Sequence, residues 1–309
     1  MGHSPLVSIL IPAHNAEKTI SAAINSCLNQ SYDLIEVLVL NNASTDNTQL
    51  VIDGFKDKRL HSFSSSEKGI AKARNLLVTK AKGKYIAWLD ADDISMSKRI
   101  EKQLDFMEDC PEVDVLGTYV KVRGSSKISA VKWPCGNGAL QAWLKFRNPF
   151  VQSSLMIRAT AKPSYNSDFD YIEDYHWVFQ NKKNLELQIL PEFLCSYYQS
   201  DEEITKKKLN FKQQEKLLSL WFHWSDDKSE TFEHLFSYMR NSSADQPNKV
   251  FTDIKNLFNR EIGKEEKAIL LLQGIRLLRS HPSFGIALFC ISNILLIPKA
   301  LAIRPKFIK

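Results

Sequence analysis

The chain has 309 residues, 44% of them hydrophobic and 25% charged, which excludes collagen-like, low-complexity and wholly disordered proteins. Its net charge of +6 is too small to indicate nucleic-acid binding by itself. The five cysteines show no C-x-x-C pair or zinc-type spacing, so we expect neither a disulfide framework nor a structural metal site, and a cytoplasmic setting fits best.

The first hundred residues alternate between strand and helix patterns. A β-branched run at 7–11 predicts a buried strand, and apolar spacings of three and four over 20–28 predict a helix. Further strands are predicted at 37–40 and 85–89, with a helix over 70–81 between them. Since strands separated by helices favour parallel pairing, the pattern predicts an α/β fold with a mainly parallel sheet flanked by helices.

The remainder of the chain is predicted to change once, from mixed strands and helices to helices alone. Strand patterns cover 113–122 and the end of 149–158, and 174–180 fits a short helix. Beyond that, lysine, glutamate, leucine and phenylalanine recur at helical spacing. We therefore expect an α/β domain over 4–205 and a helical region over 206–309.

Polar residues follow the predicted strands, at the edge where open parallel sheets bind ligands. The first strand is followed by His14 and Asn15, and the second leads into a polar turn that begins at Asn41. The strand at 85–89 is followed by the acidic run Asp-Ala-Asp-Asp at 90–93. The chemistry of the protein is therefore expected at these three strand ends.

Two carboxylates in the acidic run, Asp90 and Asp92, are predicted to point to the same side, because side chains alternate along a strand. Carboxylates so close together repel one another unless they are solvated, protonated or bridged by a cation. Hard oxygen ligands of this kind suit Mg²⁺ or Mn²⁺. The alternative is a solvated acidic turn that caps the following helix.

Other ligand-binding motifs of α/β proteins are missing from the sequence. No G-x-G-x-x-G follows the first strand, and neither a P-loop nor a G-x-S-x-G nucleophile elbow is present. These observations argue against dinucleotide-binding, P-loop and hydrolase folds.

The order of the polar motifs resembles that of the family 2 glycosyltransferases, inverting enzymes with the Rossmann-like GT-A fold. The resemblance covers roughly residues 5–200. Its motifs are, in chain order, Pro12-x-His14-Asn15, Asn41-Asn42-Ala43-Ser44-Thr45-Asp46, Gly69-x-x-x-Ala73-Arg74-Asn75, Asp90-Ala91-Asp92-Asp93 and Glu173-Asp174.

The resemblance implies a nucleotide-sugar donor bound with a divalent cation. Asp92, together with Asp90, would hold Mn²⁺ or Mg²⁺, and Arg74 would lie near the nucleotide or its diphosphate. An arginine on the surface of a helix is the alternative for Arg74. The donor-binding residues implied in this way are Pro12, His14, Asn15, Asn41, Asp46, Gly69, Arg74, Asp90 and Ala91.

On the acceptor side, the resemblance makes Asp174 the general base that deprotonates the attacking hydroxyl. Glu173 and His176 would face the acceptor. The alternative for Glu173 and Asp174 is a cap at the N-terminus of a helix, which does not exclude catalysis.

The chain departs from the family pattern in four places, two of which are His14, where an aromatic residue is often found, and His176, where the family often has an aspartate. Asn41 stands where many members have an aspartate that contacts the base, and its amide oxygen can accept the same hydrogen bond without charge assistance. Near the end of the domain, 197–200 read Tyr-Tyr-Gln-Ser where many members have Tyr-Arg-x-His. The Q-x-x-R-W motif of processive members is also missing, which favours a single-addition enzyme.

The C-terminal part contains an apolar run at 284–297, too short to span a bilayer, followed by four basic residues and no acidic one. One interpretation is a helix in the membrane interface, giving peripheral contact through 284–309. The other is a helix packed against the catalytic domain.

We therefore expect a metal-dependent, inverting, non-processive transferase. It would move one sugar from a UDP-hexose or UDP-N-acetylhexosamine to a hydroxyl of a glycan or lipid-linked glycan in bacterial surface-polysaccharide synthesis, at the cytoplasmic face of the membrane. A GDP- or dTDP-sugar donor is one alternative, and a non-catalytic partner that binds sugar nucleotides is another. No nucleic-acid partner is expected.

Overall fold

The computed structural model describes residues 4–124, 129–144 and 148–199, and the backbone of Lys306–Ile308. The chain divides into two compact units, one made of Met1–Lys132, Phe150–Asn210 and Lys306–Lys309, the other of Trp133–Pro149 and Phe211–Pro305. Every candidate site residue lies in the first unit. The expected boundary near 205, the helical region and the apolar run at 284–297 lie outside the described residues.

The first unit is built around one mixed sheet. Its strands are β1 (Val7–Ala13), β2 (Ile35–Asn42), β3 (Leu60–Ser65), β4 (Tyr85–Trp88), β5 (Ile94–Ser95), β6 (Val115–Arg123), β7 (Ala130–Lys132), β8 (Met156–Arg158), β9 (Leu187–Tyr198) and β10 (Lys306–Ile308). Its helices are α1 (Ile20–Leu28), α2 (Thr48–Asp53), α3 (Ile70–Lys80), α4 (Arg99–Asp109) and α6 (Glu173–Asn181), while α5 (Asn137–Leu144) belongs to the other unit.

The sheet has the order β10-β7-β6-β8-β4-β1-β2-β3. Strands β4, β1, β2 and β3 are parallel, as the alternation of strands and helices predicts. Beyond β4 the pairing is mixed, because β8 runs antiparallel to both β4 and β6 while β9 runs parallel to β6. The α/β class is confirmed. The four neighbouring parallel strands β4, β1, β2 and β3 all come from the N-terminal part of the chain.

The sequence patterns do not predict strands β3 and β9, and the structure shows why. Strand β3 lies at the edge of the sheet and consists of exposed and partly buried residues, so it lacks an apolar run. Strand β9 contains Pro191, and its pairing with β6 is irregular between Thr118 and Val120, where such a residue is tolerated.

A buried polar network holds the end of β4 in place. Arg99 on α4 is fully buried and donates to the backbone oxygens of Trp88 at 2.9 Å and Leu155 at 3.0 Å. Its neighbour Gln103 donates to the oxygens of Leu116 and Ser154. Because these carbonyls lie on β4, β6 and the turn before β8, the network fixes the platform from which the acidic run emerges.

Candidate active site

The carboxyl ends of β1 and β2 meet, as parallel pairing in register from Val7 and Ile35 to Ala13 and Asn41 requires. The chain leaving β1 then contacts the chain leaving β2. His14 Nδ1 lies 2.7 Å from the backbone oxygen of Asn42, and Asn15 accepts a hydrogen bond from the Thr45 amide at 2.8 Å. We call this arrangement of His14, Asn15, Asn41, Ser44 and Thr45 the loop crossing.

Two residues of the loop crossing have distinctive positions. Asn15 has a positive φ of 50°, a conformation that asparagine tolerates better than most residues, and its own amide donates to Ser44 Oγ at 2.9 Å. Asn41 is 9% exposed, and both ends of its side-chain amide are hydrogen-bonded within the protein. His14 and Asn15 remain exposed to solvent.

Pro12 and Asp46 are less exposed to solvent than His14 and Asn15 of the loop crossing. Pro12 is buried within β1, opposite Leu40 of β2. Asp46 accepts from the amide and hydroxyl of Thr48 and from the amide of Glu17. Partial burial opposes a lower pKa for Asp46, but these hydrogen bonds outweigh it and lower the pKa. Asp46 therefore ties the loop after β2 to the segment after β1.

Gly69 sits at the start of α3 with a φ of 127°, which favours glycine. Its backbone oxygen accepts from Asn42 Nδ2 at 3.1 Å. On its other side, the Asp170 carboxylate accepts from the Ala71 amide at 2.9 Å, and a Cβ on Gly69 would lie 3.0 Å from that carboxylate. Gly69 thus lets the loop before α6 approach the start of α3.

Arg74 on α3 is buried and bridges two carboxylates from distant parts of the chain. Its Nε lies 2.9 Å from Glu173 Oε1, and its guanidinium donates to Asp90 Oδ1 at 3.2 Å. The guanidinium also lies over the Trp88 ring, 5.2 Å from its centroid. Burial opposes a charged arginine, but Asp90 and Glu173 outweigh it and raise the pKa of Arg74. We call Arg74, Asp90, Glu173 and Asp174 the Arg74 cluster.

The acidic run forms a turn after β4, closed by the Asp93 amide donating to the Asp90 oxygen at 3.1 Å. Because β4 ends at Trp88, Asp90 and Asp92 lie in a turn, and the alternation of side chains along a strand does not set their directions as expected. The turn is held by the Asp90 amide, which donates to Ser153 Oγ at 2.9 Å, and by Asp93, which accepts from the Tyr198 amide.

Asp92 lies partly buried in this turn, whereas its neighbour Ala91 is 9% exposed. Burial and the nearby charge of Asp90 raise the pKa of Asp92 to about 6. Arg123 lies on the other side, where it donates to the Asp92 backbone oxygen at 2.8 Å and partly offsets the rise in pKa. A cation bound between the two carboxylates would relieve their repulsion.

The acidic turn fits a divalent cation by the chemistry of its donor atoms. Among the described residues, no group of three or more histidine, cysteine or acidic side chains is arranged to hold a metal ion. Asp90 and Asp92 supply two hard carboxylate ligands, and the remaining positions would fall to diphosphate oxygens and water, as is usual for Mg²⁺. The residues therefore fit a cation that arrives with a phosphorylated ligand.

Helix α6 begins at Glu173 and carries the candidate base in its first turn. Burial raises the pKa of Asp174, Arg74 opposes the rise and Asp90 adds to it. His176, two residues further along α6, stacks its ring on Phe169 with centroids 3.8 Å apart. Burial lowers the pKa of His176. Asp174 is thus a carboxylate whose pKa lies above the ordinary aspartate range.

Comparison with known proteins supports an assignment. The chain matches the family described as "Glycosyl transferase family 2" over residues 8–160. It is 32% identical over 217 residues to the Escherichia coli UDP-Glc:alpha-D-GlcNAc-diphosphoundecaprenol beta-1,3-glucosyltransferase WfgD, covering 66% of this chain and 81% of that protein. The chain belongs to glycosyl transferase family 2.

The fold of this family 2 glycosyltransferase agrees with solved structures. Staphylococcus aureus TarS 1–349 in complex with UDP superposes with a TM-score of 0.58 at 18% identity, covering 96% of this chain and 87% of that one. The mannosyltransferase PcManGT from Pyrobaculum calidifontis, in complex with GDP-Man and Mn²⁺, gives a TM-score of 0.54 at 15% identity, covering 95% and 81%. The GT-A fold and the glycosyltransferase class inferred from the motifs are confirmed.

Arg74 and Glu173 form a buried ion pair in this glycosyltransferase. The Arg74 side chain is 6% exposed and contacts both Asp90 and Glu173. The Glu173 side chain is 3% exposed. The roles expected for Arg74 beside the diphosphate and for Glu173 on the acceptor side stay predictions.

Several residues that contribute to the site are not indicated by any sequence motif. Arg123 and Ser153 contact the acidic turn from β6 and from the turn before β8, and Asp170 contacts the start of α3. Gln49 contacts Asn41. Their residue types are ordinary for loops and surfaces, so only the folding of distant segments onto one another identifies them.

Proposed function

We propose that this family 2 glycosyltransferase transfers one hexose or N-acetylhexosamine from a UDP-sugar to a hydroxyl of a glycan or lipid-linked glycan, with inversion of configuration. The observation that carries the proposal is the Arg74 cluster. Through Arg74, the acidic turn that follows β4 and the first turn of α6 meet at one guanidinium. A donor-side acidic turn and a candidate base are thereby brought to one place.

Asp174 acts as the general base in this proposal. Its carboxylate takes the proton of the acceptor hydroxyl as that oxygen attacks the anomeric carbon on the face opposite the leaving nucleotide. The attack forms the new glycosidic C–O bond, breaks the bond to the diphosphate and inverts the anomeric centre. The raised pKa of Asp174 suits a group that must accept a proton near neutral pH.

Asp92 and Asp90 are the residues that would hold Mn²⁺ or Mg²⁺. Such an ion supplies positive charge that stabilises the nucleoside diphosphate as it leaves. The protein's own contribution is to hold the two carboxylates together, through the hydrogen bonds from the Asp90 amide to Ser153 and from the Tyr198 amide to Asp93.

The loop crossing would bind the base and ribose of the donor, with His14, Asn15 and Asn41 as its polar residues. Asp46 and Gly69 would support this part of the site through the contacts of their own segments. A uridine donor is supported by WfgD, which is named as using UDP-Glc, and by TarS, which was solved with UDP. A guanosine donor is the second candidate, because PcManGT was solved with GDP-Man.

The acceptor class is proposed from the relatives rather than from the site. WfgD is named for a diphosphoundecaprenol-linked acceptor, which is a lipid-linked sugar. An enzyme acting on such an acceptor works at a membrane surface, which is consistent with peripheral contact through 284–309. Within the described residues, no helix is both long enough and apolar enough to cross a bilayer.

Calorimetric titration of UDP, with and without Mn²⁺, tests the donor and metal proposals together. We expect the wild-type protein to bind UDP more tightly with Mn²⁺, and Asp92→Ala to lose that difference. Asp105→Ala, which removes an exposed carboxylate on α4, is the matched control and should behave as wild type. Equal UDP affinity with and without Mn²⁺ would contradict the metal proposal, and binding of GDP in place of UDP would contradict the uridine proposal.

A further inference from the structure

The side-chain amide of Asn41 has a defined orientation. Its Nδ2 donates to Gln49 Oε1 at 2.8 Å, and its Oδ1 accepts from the Ser44 amide at 3.3 Å. An amide oxygen has two lone pairs, so the single long bond from Ser44 leaves Oδ1 able to accept another hydrogen bond. The amide nitrogen, in contrast, is directed to Gln49.

Gln49 is itself oriented by an acidic residue one turn further along α2. Its Nε2 donates to Asp53 Oδ1 at 2.8 Å. An ionised carboxylate can only accept, so Gln49 must present its NH₂ group to Asp53 and its oxygen to Asn41. Asn41 therefore donates to Gln49, and Gln49 donates to Asp53. Because the Asp53 carboxylate only accepts, it determines which atom of the Gln49 amide is the oxygen, and this in turn determines the same for Asn41.

This chain of hydrogen bonds compensates for an asparagine at the end of β2. A carboxylate would present an acceptor whichever way it turned, whereas an asparagine amide can rotate by half a turn and present a donor instead. Gln49 opposes that rotation with the shorter of two contacts, because the rotated amide would set the Asn41 oxygen against the Gln49 oxygen. The longer bond from the Ser44 amide, at 3.3 Å, favours the same orientation.

We propose that Gln49 is a positioning residue that fixes Asn41 as a hydrogen-bond acceptor, so that the site selects nucleotides whose base carries a ring N–H over cytidine nucleotides. Uracil, thymine and guanine carry such an N–H, whereas cytosine has an unprotonated ring nitrogen beside an amino group. The inference rests on the proposed function, in which Asn41 contacts the base of the donor.

Gln49→Met tests the inference, because methionine keeps the length of the side chain and favours a helix but removes the amide. With Mn²⁺ present, we would measure the affinities for UDP and CDP and for inorganic pyrophosphate, which has no base. We expect the ratio of UDP to CDP affinity to fall by about fivefold to tenfold, the effect of one hydrogen bond, with pyrophosphate affinity unchanged. A general loosening of α2 would not produce that selective change.

The neighbouring residue offers a matched control. Leu50 is 71% exposed on the same helix, and Leu50→Ala should leave the ratio at the wild-type value. Asp53→Ala provides a second variant at an exposed position should Gln49→Met fail to fold. It removes the acceptor that orients Gln49, so the ratio should fall in the same direction by a smaller factor.

A double-mutant cycle with Asn41→Asp sharpens the test. A carboxylate at 41 accepts in either orientation, so Gln49→Met should not change the ratio in the Asn41→Asp background. A selective loss in the asparagine background alone supports the inference.

The other outcomes overturn the inference in distinguishable ways. A wild-type protein that prefers UDP to CDP, with the same ratio in Gln49→Met, overturns the role of Gln49 and leaves the proposed function standing. An equal fall of the ratio in both backgrounds also overturns it. A wild-type protein that prefers CDP, or binds neither nucleotide, overturns the proposed uridine donor and the inference together.

Discussion

The Arg74 cluster and the loop crossing lie in the same compact unit but are built differently. The Arg74 cluster is centred on a buried ion pair, a guanidinium 6% exposed against a carboxylate 3% exposed. The loop crossing joins neutral side chains and backbone groups, and His14 and Asn15 remain open to solvent. One region is therefore held by charge pairing in a dry environment, and the other by hydrogen bonds that water can replace.

Because of this difference, we expect the Arg74 cluster to tolerate substitution less well than the loop crossing. Removing one member of a buried ion pair leaves an uncompensated charge, which is far more costly than losing a neutral hydrogen bond at the surface. We infer that the Arg74 cluster fixes the geometry of the reaction, whereas the loop crossing can vary with the ligand. The substitution of Asn41 for an aspartate fits this division, because it falls in the region held by neutral hydrogen bonds.

The largest effect is expected from Asp174→Asn. Transfer should fall by a factor of about 10² to 10⁴, the contribution of a general base, while UDP affinity with Mn²⁺ stays at the wild-type value. Sugar transfer measured by UDP release, together with calorimetry, checks both statements. Asp168→Asn, at an exposed position before α6, is the control. Wild-type transfer rates in Asp174→Asn would remove this residue as the base.

Arg74→Met should destabilise the protein by about 3–5 kcal/mol, because Glu173 would remain buried without a partner. Urea denaturation followed by circular dichroism measures this change. Arg74→Met combined with Glu173→Met should be less destabilised than Arg74→Met alone, because the buried Glu173 carboxylate is removed together with its partner. Lys72→Met, which breaks an exposed ion pair on the same helix, should change stability by less than about 1 kcal/mol. Equal effects at Arg74 and Lys72 would contradict the buried, charge-paired environment described for Arg74.

Asp46→Ala should lower the stability of the protein, because the amides of Thr48 and Glu17 lose their acceptor. Thermal and urea denaturation measure the loss. Asp46→Asn keeps an oxygen acceptor and should cost less. A fall in UDP affinity for Asp46→Asn with no change in stability would instead show that the Asp46 carboxylate contacts the donor.

The smallest expected effect is on the pH dependence of transfer. Since the base must be deprotonated and its pKa is raised by burial, kcat/KM should increase with pH through a value above the ordinary aspartate pKa of about 4. Arg74 opposes that rise in pKa, so Arg74→Met should move the acidic limb to higher pH, whereas Arg74→Lys keeps the charge and should move it less. An acidic limb at the ordinary aspartate pKa would contradict the environment described for Asp174.

Sequence patterns predicted the elements whose burial leaves a strong periodic signal. The strands that became β1, β2 and β4 and the apolar face of α1 were found in this way, since buried runs and helical spacing are local properties of the chain. No pattern predicts strand β3, because an edge strand needs no continuous apolar run. None predicts β9, because Pro191 is tolerated only at the irregularity of its pairing with β6.

Residue types at short spacing are enough to predict the α/β class, the family and the order of polar motifs at the strand ends. Contacts between distant segments establish three further features: Arg74 pairs with Glu173, Asp90 and Asp92 lie in a turn beyond β4, and Gln49 contacts Asn41. Each of these depends on which atoms of separate segments come within hydrogen-bond distance. Residue types alone do not specify such distances, because an arginine or a glutamine has the same sequence signature whether it faces solvent or a buried partner.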